Sequence, residues 1–444
     1  MPLPGSGRSR LRLLTLGVAG VVLLIAVGIA LTWPRPLGLL VDLAGVGGPP
    51  VNPSLPDKPS IVVLPFVNMS GDPEQEYFAD GITEDPTTEL SRNAALFVIS
   101  RNSAFSYKGQ SVKVEEIARA LGVRYVLEGS VRRVGDRVRI TAQLIDASNG
   151  FHLWGERYDR DLGDIFALQT AIAEEIQTTL RVAMRNAEVS RARQPETRDV
   201  GAYDAYMRGL FHFERFHRDD NLEARRWFSR SFDLDPDFAS AHAMYGNTHA
   251  IAYAFGWNRD PALLERAEEA ARRALRLDVA SSDAWNTLAN VHNIQGEHEE
   301  AREAAEQGIA AEPSFDIPYM IRGLALAAEG RFLPALASIQ QALRLNPRGT
   351  DSQRVVVAFI NYRAGRIEKG VALSEAARAE NPDLILPRLF LIAHRDAKGG
   401  GGDTRVLVDE ILRVNPDLSA EDGNEMLSVV GFDVLEPLRR AGLP

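Results

Sequence analysis

The feature that most constrains this chain is a spacing near its C-terminal end. Pro313, Pro347, Pro382 and Pro416 recur at intervals of 34, 35 and 34 residues. Small residues keep step with them: Ala301 and Gly308 precede Pro313 by the offsets at which Ala335 and Ala342 precede Pro347. Gly296, Gly330 and Gly365 fall between, where a turn inside each unit would lie. A unit of about 34 residues holds one pair of helices. Such a pair cannot bury its apolar stripe alone, so copies stack and each covers the face of its neighbour. The expected result is an α-solenoid over residues 200–444, with a concave surface suited to holding another chain. Successive units read as beginning at Gly201, Ala239, Ser282, Asp316, Asp351 and Ile385. The last is degenerate, with Gly399 to Gly402 in place of a tight turn, and Leu427 to Leu443 would cap the open apolar end.

The other end of the chain predicts a location. Leu13 to Trp33 reads LLTLGVAGVVLLIAVGIALTW, without a charged side chain. A run of about 20 apolar residues spans a bilayer as a helix. Arg8, Arg10 and Arg12 stand immediately before it, and basic residues stay on the cytoplasmic side. The expectation is a short cytoplasmic N-terminus at 1–12, a membrane span at 13–33 and a body outside the inner membrane, in the bacterial periplasm. The rival reading is a cleaved signal peptide, with Gly28 and Ala30 as the small residues of its cleavage site. Residues 34–59 carry Pro34, Pro36, Pro49, Pro50, Pro53, Pro56 and Pro59, the composition of a linker. The absence of cysteine excludes disulfides and thiolate metal sites, and a formal charge of -10 argues against nucleic acid as a partner.

Residues 60–182 read as a small α/β domain with a mixed sheet. Ile61 to Phe66 is a continuous apolar run, as in a strand covered on both faces. Tyr77 to Ser91 reads as helical, with Pro86 either at the first turn of a helix beginning near Asp85 or at a kink. Val114 to Leu121 is a helix ended by Gly122. Tyr125 to Val134 and Arg137 to Asp146 alternate as strands, and Ile165 to Leu180 returns to helical spacing. These residues carry a resemblance. The stretches IVVLPFVNMSGDPEQEYFADGITEDPTTELS, LFVISRNSAFSYKG and VRYVLEGSVRRVGDRVRITAQLIDASNGFHLWGERYDRDLGDIFALQ resemble the TolB amino-terminal-like (FlgO-like) domain, and the 34-residue units resemble tetratricopeptide repeats. That pairing implies the C-terminal accessory half of a bacterial class III adenylate cyclase, here without the cyclase domain, or the half that follows a winged-helix DNA-binding domain. About a dozen residues precede the apolar span, where a cyclase domain would need well over a hundred.

Chemistry is sparse. The chain has no GxxxxGK[ST], GxGxxG or HExxH, so no catalytic residue, cofactor or metal site is expected. His212 and His217 read as surface helix positions. The clearest polar constellation is Asn286, Asn290 and Asn293, at steps of four and three, with Asn247 at the corresponding place one unit earlier. On first helices these amides face the inner groove, where they would hydrogen-bond an extended peptide, and Met320 would add an adaptable apolar contact. The alternative is that the amides hold neighbouring helices together. Glu128, Arg132, Arg137, Arg139 and Glu156 share a sheet face that reads as solvated, or as a second binding surface. The expected function is therefore binding, by a membrane-anchored periplasmic scaffold or sensor whose ligand is a protein or peptide. An accessory role in an adenylate cyclase signalling system is the alternative.

Overall fold

The computed structural model describes residues 55–56, 58–184, 196–349, 351–399, 404–428 and 432–444. The expected membrane span at 13–33 and most of the linker at 34–59 lie outside these. Among the described residues no helix is long and apolar enough to cross a membrane.

The first folded part is a mixed sheet with helices on both faces. Strand β1 (Ser60–Val63) is buried at every position. Strands β2 (Val67–Asn68), β3 (Phe97–Val98) and β4 (Tyr125–Val134) follow, then β5 (Arg137–Asp146) and β6 (Phe151–Asp161). The order across the sheet is β3-β1-β4-β5-β6, with β2 also on β4. Pairings up to β4 are parallel and the β4–β5–β6 meander is antiparallel. Strand β5 alternates as its sequence does: Val138, Ile140, Ala142 and Leu144 are buried, while Arg137, Arg139 and Thr141 face water.

Four helices complete this part: α1 (Glu76–Ser91), α2 (Arg101–Phe105), α3 (Val114–Leu121) and α4 (Ile165–Met184). Phe78 and Ile82 of α1 and Ile172 and Ile176 of α4 bury one sheet face with Val131 and Ile140. Ile117 and Leu121 of α3 cover Val62 and Val126 on the other. Helix α1 does not begin near Asp85. It runs from Glu76 through Pro86 as one element. Around the proline, side-chain hydroxyls bond to the backbone. Thr83 Oγ1 donates to the Ala79 carbonyl at 2.8 Å and accepts from Phe66 N–H at 2.9 Å, and Thr87 Oγ1 donates to the Thr83 carbonyl at 2.9 Å. Such back-bonding is one way a helix accommodates a break in its own ladder.

From residue 200 the chain forms helix pairs: α5 (Val200–Phe213) with α6 (Arg218–Leu234), α7 (Ala239–Ala254) with α8 (Ala262–Leu277), α9 (Ser282–Gln295) with α10 (His298–Ala311), α11 (Asp316–Ala328) with α12 (Phe332–Leu345), α13 (Asp351–Arg363) with α14 (Ile367–Glu380) and α15 (Leu386–Ala397) with α16 (Arg405–Val414). Two short helices, α17 (Ala420–Ser428) and α18 (Leu435–Ala441), close the end and bury Leu427 and Leu438. The small residues of the repeat sit at close helix approaches: Ala301 and Ala335 are fully buried, and a Cβ on Gly323 would come within 2.9 Å of Ile339 Cδ1. Gly296 and Gly330 take φ values of 79° and 78° at the turn inside their pairs, a conformation that side chains strain. Leu288 is buried against Ala304, Ala305 and Ile321. Trp285 is only half-buried and donates its indole N–H to the Val279 carbonyl at 2.8 Å.

The solenoid curls around the α/β part. Tyr77 O–H on α1 donates to Asp204 Oδ1 on α5 at 2.6 Å. Further along, Ser100 Oγ donates to Asp316 Oδ1 at 2.7 Å and Asn346 Nδ2 donates to Asp316 Oδ2 at 2.9 Å. Arg344 reaches the Leu121 and Gly122 carbonyls at 3.1 and 2.8 Å, and Arg348 donates to the Tyr107 hydroxyl oxygen at 2.8 Å. The C-terminal end of the solenoid also meets its second helix pair. Asn415 Nδ2 donates to the Gly256 carbonyl at 3.1 Å, and Arg259 pairs with Glu425 at 2.5 Å.

Candidate functional site

Helix α1 lies across the inner side of the solenoid, facing first helices α5, α7, α9, α11 and α13. The space left between them is a partly enclosed cavity of about 460 Å³, whose lining also includes Glu425 and Met426 of α17. This is within the range of about 300–1,000 Å³ usual for ligand sites. Asn247, Asn286, Asn290, Asn293 and Met320 all line it. A helix repeat of 3.6 residues brings 286, 290 and 293 to one face of α9, and the stacking of pairs sets Asn247 of α7 and Met320 of α11 to either side.

Asn247, Asn286 and Asn293 are 7%, 3% and 2% exposed, and the Oδ1 of each has no hydrogen-bond partner. A buried amide oxygen left unbonded costs about 1–3 kcal/mol.

Charged groups make up much of the remaining lining. Arg101 on α2 pairs with Glu84 of α1 at 2.6 Å and with Glu214 at 3.0 Å. Arg92 pairs with Glu89 at 2.7 Å and with Glu196 at 3.5 Å. Asp85 accepts hydrogen bonds from Tyr203 O–H and Gln169 Nε2. Glu312, before α11, accepts from Ser282 Oγ at 2.6 Å. Asp283 stands three residues before Asn286 on the same face of α9, and its exposed surface opens on the cavity. Burial raises all four unpaired or half-paired carboxyls: Glu84 to about 8, Asp85 and Glu312 to about 7, Asp283 to about 6.

A pH dependence follows. Asp283 binds its proton more tightly folded than unfolded, so its contribution is fully present below about pH 4 and is lost as pH rises through about 6. Asp283→Asn removes that cost. Near pH 8 the variant is expected to unfold with about 1–3 kcal/mol more stability than the parent, and near pH 4 with little difference. Thermal melts at the two pH values measure this; an equal shift at both would show that the carboxyl is not desolvated.

The other candidates lie elsewhere. His212 Nδ1 is 2.9 Å from Asp220 Oδ1 on the solenoid surface. On the exposed sheet face Arg139 pairs with Asp159 at 2.6 Å and Arg137 with Asp161 at 3.1 Å, a solvated cross-strand arrangement.

Residues 282–315, which hold α9 and α10, match the family model described as a tetratricopeptide repeat. Over 238 residues the chain is 47% identical to the Rhizobium meliloti (strain 1021) protein named "Putative adenylate cyclase 3", covering 53% of this chain and 40% of that one. The chain therefore spans less than half the length of that relative. Among solved structures, a thermophilic tetratricopeptide-repeat protein of Thermus thermophilus overlays 42% of this chain and 94% of its own, at a TM-score of 0.34 and 21% identity. TolB from Acinetobacter baumannii overlays 29% of each chain at a TM-score of 0.23 and 20% identity. Both overlays cover less than half of this chain.

Proposed function

We propose that this chain is a protein-binding scaffold that receives a segment of its partner in the cavity between α1 and the first helices of the solenoid. The observation that carries the reading is the cavity itself, walled by α1 and lined by Asn247, Asn286, Asn290 and Asn293 of α7 and α9. The match of α9 and α10 to a tetratricopeptide repeat supports it, because stacked helix pairs of this kind present binding surfaces. The α/β part is read as a TolB amino-terminal-like domain that walls the site, and the chain itself contributes binding and not catalysis. Capture by the full-length chain from a membrane extract should yield a partner. Replacing Asn286 and Asn290 with Ala should weaken it by about 0.5–1.5 kcal/mol for each bond lost, at an unchanged melting temperature. Unchanged affinity with unchanged stability would move the site elsewhere; lost stability would make the amides structural.

The location belongs to the same reading. Arg8, Arg10 and Arg12 before an uncharged run support an inner-membrane anchor with the body in the periplasm. Alkaline phosphatase fused after Pro444 is then expected to be active in cells, and an inactive fusion would contradict it. A second reading, favoured by the 47% identity to a protein named as a cyclase, is an accessory part of an adenylate cyclase system. A cyclase domain encoded in frame ahead of Met1 would support it over a free-standing scaffold.

A further inference from the structure

We propose that the cavity is built for a cationic, hydrogen-bond-donating group, and that the partner segment presents a lysine or arginine side chain to it. This rests on the reading of the cavity as a protein-binding site and specifies what that site recognises.

The lining carries more acidic groups than basic ones, and burial keeps Glu84, Asp85 and Glu312 partly protonated near pH 7. Nine carboxyl side chains and three arginines face the cavity, with no lysine or histidine among them. All three arginines are already committed: Arg92 to Glu89 and Glu196, Arg101 to Glu84 and Glu214, Arg259 to Glu425. Asp283 and Glu312 are left without a cation at ion-pair distance among the described residues. An anionic ligand would add to this imbalance, and a neutral one would leave it uncompensated. A cation would relieve it, in surroundings where water screens poorly.

The buried unbonded atoms of the lining include donors, Arg92 Nε and Arg259 Nε, and a larger set of acceptors. The orphaned oxygens of Asn247, Asn286 and Asn293 are acceptors, each more than nine-tenths buried. On α9 they continue a line that begins with Asp283: positions 283, 286, 290 and 293 are separated by steps of three, four and three. One helix face therefore presents a carboxylate followed by a run of amides. An ammonium has three N–H donors and a guanidinium five, and neither accepts. Such a head group can meet Asp283 and the amides together, while an extended backbone alternates donors with acceptors and would satisfy only part of the row. Met320 and Phe213, which also line the cavity, offer apolar surface for the methylene stem that carries the charge.

The test uses the full-length chain in detergent and calorimetry with short blocked peptides. The peptides are acetyl-Gly-Ala-X-Ala-Gly-amide, with X as Lys, Arg, Met or Glu, and free spermidine is titrated beside them. The Lys and Arg peptides are expected to bind about tenfold or more tightly than the Met and Glu peptides, and Asp283→Asn to remove about that factor from the Lys and Arg peptides alone. Each variant is melted in parallel, so that a lost fold is distinguished from a lost contact. Equal binding of the Met peptide, or a Lys preference that survives Asp283→Asn in a folded variant, overturns the cationic assignment and leaves the protein-binding reading in place. Binding of spermidine with no peptide bound keeps the cationic site and overturns the protein ligand. Binding of none overturns both.

Discussion

Glu410→Ala is expected to destabilise the fold by about 3–5 kcal/mol, the cost of leaving a buried charge without its partner. The charge is that of Arg388 on α15, which is 2% exposed. Its Nε donates to Glu410 Oε2 at 2.7 Å, and its Nη1 donates to the Leu384 carbonyl. Arg378 on α14 grips both oxygens of the same carboxylate at 2.9 and 2.7 Å. One carboxylate thus joins the fifth helix pair to the sixth, where the repeat is least regular. Hydrogen bonds from Arg378 and Arg388 hold Glu410 down to about 2. Its stabilising share is therefore present above the ordinary carboxyl range and is lost as pH falls through about 2. Chemical denaturation of parent, Glu410→Ala and Glu410→Gln measures the effect. The glutamine keeps acceptor and volume, so its loss should be the smaller. An alanine variant as stable as the parent would mean that Arg388 finds water or another acceptor.

Asp316→Ala is the second large effect, at about 3–5 kcal/mol, because two buried donors lose their acceptor at about 1–3 kcal/mol each. Asp316 is 2% exposed at the start of α11 and joins Ser100 of the α/β part to Asn346 after α12. Ser103 Oγ then donates to Asn346 Oδ1 at 2.6 Å. The contact ties the α/β part to the fourth helix pair, opposite the contact between α1 and α5. Its loss is expected to lower the melting temperature and to separate one cooperative transition into two. A single unshifted transition would show that the apolar contact of Leu345 with Val62 and Ile99 suffices to hold the two parts together.

Much of this architecture can be read from residue order. Prolines and glycines at a fixed interval set helix ends, so α7, α9, α11 and α13 begin at the positions the repeat predicts. The apolar alternation of 137 to 146 is local, and β5 follows it. Proline is a weaker guide inside a helix. Pro86 reads as a start or a kink; the start is excluded, because tertiary burial of Phe78, Ile82 and Leu90 carries α1 through it. The amide stripe of α9 was visible because three asparagines at steps of four and three share a face. Asp283 continues that face and was equally visible, but as a first-turn acid it has an ordinary electrostatic explanation. The opposite wall was not legible. Ser100 meets Asp316 across 216 residues and Tyr253 meets Glu425 across 172. Those meetings depend on how far the stack curves, a sum of small rotations between pairs that leaves no periodic mark in the chain.

The most direct test of the central claim is hydrogen–deuterium exchange of the full-length chain with and without its captured partner. Binding in the cavity predicts added protection in two separated segments at once, 76–91 of α1 and 282–295 of α9, with little change in β5 and β6. Protection confined to 137–161, with both cavity helices exchanging as before, would contradict it and place the partner on the charged face of the sheet.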